Sequence, residues 1–236
     1  MSELNDKLSA RVLALERALI LGTSSGGKTG KNHHTYNYED ENEHEGLLRS
    51  RLAVAVTYEL YSACWHWVPS DVYYKKWNLE DRQLFLKAPS IHCLCKSMLM
   101  EYLPSKYVLC IVQYTASLDT KAISSAIRQH VFTEEQKKNL TKLSIQMASS
   151  DDNAKVTGYI HNAVTPIGMT CQADIPILLS SSLLLLDEIG GRMYVGGGHP
   201  FCKLSVSITE FVQKVPNVHI ANISTTRTSY EDLQDD

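Results

Sequence analysis

From about residue 46 onward the apolar residues fall into two patterns, spacings of three and four that predict helices and short dense or alternating runs that predict strands. Leu47 to Tyr61 reads as a helix. Asn78 is placed to cap a helix over Leu79 to Leu86, and Asp119 one over Thr120 to Gln129, because a side-chain oxygen there accepts from unpaired first-turn N–H groups. Glu134 to Met147 reads as a charged helix with Lys137, Lys138 and Lys142 outward. Strands are expected at Ser90 to Met100, Lys106 to Ala116, Lys155 to His161, Arg192 to Val195, Phe201 to Ser207 and Asn217 to Ile223. A helix is expected from Ala173 to Leu186 and a short one after Thr209. No regular βα repeat organises these elements. The predicted class is α+β, a mixed and mainly antiparallel sheet flanked by helices, with an N-terminal helical extension.

The ends follow other rules. Leu8, Val12, Leu15 and Leu19 repeat at 4-3-4 spacing in a stretch free of Gly and Pro, so residues 1–21 predict an amphipathic helix with a coiled-coil-like seam. A seam of about two heptads is marginal alone. Such a helix packs on its own domain, pairs with a second copy as a homodimer, or docks on another protein. Residues 22–45 are rich in Gly, Ser, Asn, His and acids and read as a flexible acidic linker. Residues 46–225 form the folded domain, and 226–236 an acidic tail.

Composition then narrows the function. The chain has 236 residues, 44% of them hydrophobic and 21% charged, enough for a sizeable core. A net charge of −3 gives no global basic field, so any nucleic-acid contact is local or assisted by a partner. Lys121, Arg128, Lys137, Lys138 and Lys142 are the scattered basic contacts available, and a solvated helix face explains them equally well. No basic segment leads into an apolar core at the N-terminus, and no apolar run is long enough to span a bilayer. The expectation is a cytoplasmic protein without a membrane partner. In that compartment the six cysteines are reduced thiols.

The chemistry begins with Lys96, which sits in the middle of the apolar run Ser90 to Met100. A buried ammonium costs several kcal/mol, roughly, unless it finds a carboxylate, snorkels to water from an edge strand, or faces a cavity that takes a ligand. Other motifs carry less. Gly22 to Thr29 matches the phosphate-loop pattern, but a helical heptad precedes it and a polar stretch without an apolar face follows, so the strand and helix that would hold phosphates are missing. Alternation sends His92 to the face opposite Cys93 and Cys95, which speaks against a shared metal, and no metal or other cofactor is expected. No spacing pairs Cys93, Cys95 or Cys171 with a base for thiol hydrolysis.

Three segments, in order, share a pattern. They are Cys93-Leu94-Cys95-Lys96-Ser97, then Thr157-Gly158-Tyr159-Ile160-His161-Asn162-Ala163-Val164-Thr165-Pro166-Ile167-Gly168, then Gly196-Gly197-Gly198-His199-Pro200 followed by Lys203-Leu204. Together they resemble the YbaK/prolyl-tRNA-synthetase-associated aminoacyl-tRNA editing domains over roughly residues 68 to 215, and most closely the free-standing eukaryotic type. The resemblance implies hydrolysis in trans of the ester joining a wrong, small amino acid to the acceptor end of a mischarged tRNA. It implies Lys96 as the catalytic cation and Gly158, His161, Asn162, Ala163, Val164, Thr165, Pro166, Gly168, Gly198 and His199 as substrate-binding positions. The apolar seam of residues 1–21 is the candidate contact with an aminoacyl-tRNA synthetase or multi-synthetase complex. Asn162 departs from the pattern, standing where the family's loop has glycine. Asn tolerates positive φ better than other side chains, so the turn survives while the pocket beside it changes size. The alternative is a catalytically weak or inactive relative that acts as an interaction module of a synthetase assembly.

Overall fold

A computed structural model describes residues 41–227 apart from Thr141, and the described residues from Glu43 onward form one compact unit. The expected helix of 1–21, most of the 22–45 linker and the end of the acidic tail lie outside the described residues. Helix α1 covers Glu41–Leu52, so it begins inside the span read as linker, and it runs on as a π-helical turn over Ala53–Thr57. Strand β1 (Cys64–Trp67) follows, then α2 (Ser70–Lys75) and α3 (Leu79–Leu86). Asn78 caps α3 as expected, its side chain accepting from the Asp81 N–H at 2.8 Å while Asp81 reaches back to the Asn78 N–H.

The lysine-bearing run opens as a 3-10 turn, Ile91–Cys93, before becoming β2 (Cys95–Leu103). Strand β3 (Lys106–Gln113) ends at a turn, which splits the single strand expected to Ala116 into β3 and β4 (Ala116–Leu118). Asp119 then caps α4 (Thr120–His130), accepting from the N–H groups of Lys121 at 2.9 Å and Ala122 at 3.1 Å.

Three sequence expectations are corrected in the middle of the chain. The charged helix predicted over Glu134 to Met147 stops at α5 (Glu134–Asn139), because Leu140, Leu143 and Ile145 leave helical spacing to pack on the core in extended form, leading into β5 (Gln146–Met147). Lys155 to His161 is not a strand: α6 (Ser150–Thr157) occupies its first half, with Ser149 accepting from the Asp152 N–H, acids in the first turn and Gly158 closing it at φ +73°. Ala173 to Leu186 is not a helix. It holds β6 (Ile177–Ser180) and a 3-10 segment, Ser181–Ile189. A dense apolar run buried on both sides has no periodicity to separate strand from helix. Strands β7 (Arg192–His199) and β8 (Cys202–Ser207), α7 (Ile208–Lys214), β9 (Val218–Ala221) and β10 (Ser224–Thr226) complete the described chain.

The class is the predicted α+β. Among the described residues, one sheet has the order β5-β2-β3-β6-β9, antiparallel from β5 to β3 and parallel from β3 to β9. A second, β1-β8-β7, is antiparallel throughout, and β10 pairs with β4. Leu109 and Ile111 of β3 face one core and Val108, Cys110 and Val112 the other, so the central strand is buried on both faces. Ile123, Ala126 and Ile127 of α4 cover the second face at helical spacing. The two larger sheets meet at the start of β2, where Leu94 bridges to Tyr194. That junction places Lys96, the α6 terminus and the β7–β8 hairpin around one hollow. Among the described residues no helix is long and apolar enough to cross a membrane.

Candidate functional site

The hollow is a pocket of about 190 Å³. It is lined by Cys95, Lys96, Ser97 and Met98 of β2, by His161, Asn162 and Val164 of the loop after α6, by Gly196 of β7 and by Lys203 of β8. Lys96 stands opposite Val112 of β3 in the register, its ammonium 5.9 Å from the centre of the Tyr114 ring. Lys203 is 5% exposed, and its ammonium lies 4.8 Å from the Tyr74 ring and 5.4 Å from the Tyr73 ring. Arg82, only 2% exposed, backs the same tyrosines, with its guanidinium 5.1 Å from Tyr73 and 5.8 Å from both Tyr74 and Tyr114. It donates to the carbonyls of Tyr74 and Trp77. The Ser97 hydroxyl, on the pocket wall, has no hydrogen-bond partner among the described residues.

The loop from Gly158 to Gly168 is held at both ends. Tyr159 is buried and its hydroxyl donates to the Ile167 carbonyl at 2.7 Å and the Gly168 carbonyl at 2.9 Å. Arg49 of α1 donates through Nε to the Gly168 carbonyl at 2.8 Å and through Nη2 to the Gly158 carbonyl at 2.5 Å, with its guanidinium 4.8 Å from the Tyr159 ring. Burial pushes the Tyr159 phenol well above its ordinary range, against the opposing pull of Arg49, so it remains a donor across the working pH range. Between these fixed ends Asn162 adopts φ +64°, the left-handed conformation expected of the residue replacing glycine. Gly196 lets β7 approach: a Cβ there would lie 2.2 Å from the Val164 carbonyl oxygen. Tyr74 ties the hairpin to the loop, donating to the Pro200 carbonyl at 2.7 Å and lying 3.4 Å from that of Asn162.

The expected site residues other than His199 separate into two groups. Lys96, His161, Asn162 and Val164 line the pocket. Gly158, Ala163, Thr165, Pro166, Gly168 and Gly198 make its frame: Ala163, Thr165 and Pro166 are buried, and the Ala163 carbonyl accepts from the Gly198 N–H at 3.0 Å. His199 turns away from the pocket lining to the rings of Trp67, Phe201 and His44, and its Nδ1 accepts from the Phe201 N–H at 3.1 Å. Burial, with His44 adding to it, lowers its pKa to about 4, so it is neutral.

Lys203 escaped assignment as a site residue although it carries the same signal as Lys96, a lysine inside an apolar strand. The Arg49 clamp had no local signal at all. Among the described residues, no group of three His, Cys, Asp or Glu side chains is placed to hold a metal. Cys64 is exposed, while Cys93, Cys95, Cys110 and Cys202 are buried. Burial, with Cys93 beside it, pushes the Cys95 thiol far above its usual range, so this pocket thiol is not a thiolate nucleophile.

No protein-family model matches the chain, and no curated protein matches it in sequence. Solved structures do match in shape. A protein proposed as a trans-editing enzyme for prolyl-tRNA synthetase superposes with a TM-score of 0.59 at 14% identity, over 76% of this chain and 97% of that one. A scaffold from computational epitope backbone grafting gives 0.56 at 15% identity, over 77% and 98%. These likenesses establish the fold. The chain shares the mixed α+β architecture of these structures.

Two outcomes follow from the site's construction. Tyr159→Phe is expected to cost about 1–3 kcal/mol in urea unfolding, because it withdraws a buried donor from two loop carbonyls. An unchanged unfolding midpoint would show that the latch contributes nothing. The second concerns pH. His199 binds its proton near pH 4 when folded and near about 6.5 when unfolded. Burial lowers His66 and His219 in the same direction, with Arg192 and His130 respectively adding to it. Between those values the unfolded chain holds more protons, so stability rises with pH across the window and is lost as pH falls from about 6.5 towards 4. His199→Gln should flatten that dependence, read as the difference in urea midpoint between about pH 7 and pH 4.5.

Proposed function

We propose that this chain is an aminoacyl-tRNA deacylase acting in trans, a free-standing editing hydrolase of eukaryotic type working in the cytoplasm. The observation that carries this reading is Lys96 in a pocket also lined by Asn162 and Val164 of the clamped loop. An aminoacyl ester is already activated, so hydrolysis needs a positioned water, charge stabilisation at the carbonyl oxygen and a fixed seat, rather than a strong nucleophile. Lys96 supplies the charge at the aminoacyl-adenosine, the loop supplies the seat, and a pocket of about 190 Å³ favours a small amino acid. The fold shared with a protein proposed as a trans-editing enzyme supports the reading. The mischarged tRNA enters by its acceptor end. Residues 1–21 provide the contact with a synthetase, a multi-synthetase complex or a second copy, through the seam of Leu8, Val12, Leu15 and Leu19.

Deacylation of a panel of tRNAs mischarged with small amino acids tests the reading directly. The wild type is expected to hydrolyse at least one of them, and Lys96→Ala to fold normally while losing about 10²-fold in rate. A wild type inert on the whole panel would leave an interaction module as the better description. Deleting residues 1–40 is expected to keep hydrolysis of free substrate while abolishing self-association or synthetase capture. Unaltered association after the deletion would refute the role given to the seam.

A further inference from the structure

A second lysine in the pocket has no assigned task. Lys203 stands in the run Cys202-Lys203-Leu204-Ser205-Val206, otherwise almost wholly buried, and enters the pocket from the sheet opposite Lys96. Its neighbour across β7 is Gly196, so no side chain at that register position stands between it and the cavity. Gly196 itself lies against the Val164 carbonyl, which sets this end of the pocket next to the loop. The ammonium is held over Tyr74 at 4.8 Å, and the Tyr74 hydroxyl bonds the Pro200 carbonyl and approaches that of Asn162. Lys96 is held over Tyr114 instead. The two cations thus rest on different rings of one tyrosine cluster, with Lys203 at the loop end.

We infer that Lys203 is a second substrate-contacting cation, directed at the carbonyl oxygen of the ester rather than at the nucleic-acid phosphates. This assignment rests on the deacylase reading. In the reaction, water adds to the ester carbonyl and its oxygen gains negative charge. The bond to the ribose oxygen then breaks, that oxygen leaves with one proton of the water, the other proton passes to solvent, and the amino acid departs as its carboxylate. A cation fixed beforehand beside the developing oxyanion acts on the transition state more than on the bound ester. An ammonium has three donors, so Lys203 keeps its protein contacts while giving one bond to substrate. The tyrosines limit its motion, so little freedom remains to be lost on binding.

The test uses the full chain and two substrates that differ in phosphate: the mischarged tRNA the wild type hydrolyses fastest, and the matching 3′-aminoacyl adenosine, which carries the ester and no phosphate. K203M is expected to lose about 100-fold in kcat on both, with KM altered by less than about threefold, and K203R to recover part of the loss. Loss on the tRNA substrate alone would overturn the assignment in favour of a phosphate contact, and undiminished rates on both would overturn it outright. A wild type inert on every ester removes the deacylase reading and this one together, whereas an active wild type with an unimpaired K203M removes only this one. Should the variants fail to fold, the Lys203 ammonium resonance of the wild type is followed by NMR as a non-hydrolysable 3′-aminoacylamino-adenosine is added. A shifted resonance supports the contact, and an unmoved one at saturation refutes it.

Discussion

A tight loop that turns its backbone inward must find donors for its carbonyls, and the site depends on how this chain meets that need. The loop after α6 leaves the carbonyls of Gly158, Ile167 and Gly168 in the interior, where an unpaired oxygen costs about 1–3 kcal/mol. One phenol and one guanidinium serve all three. The donors come from different places, Tyr159 from within the loop and Arg49 from α1, more than a hundred residues earlier in sequence. The rim of the pocket is therefore fixed by tertiary structure rather than by local turn preference.

The same economy governs the charged residues behind the pocket. Lys96, Lys203 and Arg82 enter a largely apolar interior, and each lies within 6 Å of a tyrosine ring of the set Tyr73, Tyr74 and Tyr114. Aromatic faces offer a cation some attraction without the full hydration it has lost. This arrangement positions ammonium groups facing a cavity while keeping the surrounding wall apolar enough to pack. The buried Cys95 thiol completes the wall as a small neutral side chain.

How far the sequence revealed this depends on where each signal resides. Local signals were legible: the caps at Asn78 and Asp119 formed as expected, and Asn162 took the positive φ its identity suggested. One segment buried on both faces was not. Ile177 to Ser180 lies between two parallel strands with apolar contacts on either side, which erases the alternation that marks a strand. Lys155 to His161 combines two signals, its β-branched and aromatic residues pointing to a strand while Ser149, Asp151 and Gly158 mark the start and stop of the helix that forms. Lys203 was visible but passed over, and Arg49 was invisible because only the folded chain brings α1 to the loop.

Fixing both ends of a loop also decides how it can vary. With Gly158 and Gly168 held to the same guanidinium, an inserted or deleted residue would break the match between the two carbonyls and their donors. A side-chain exchange at Asn162 or Val164, whose side chains take no part in the clamp, leaves those bonds alone. The clamp therefore leaves room for change in residue identity at positions such as Asn162 and Val164, while it holds the length of the rim fixed.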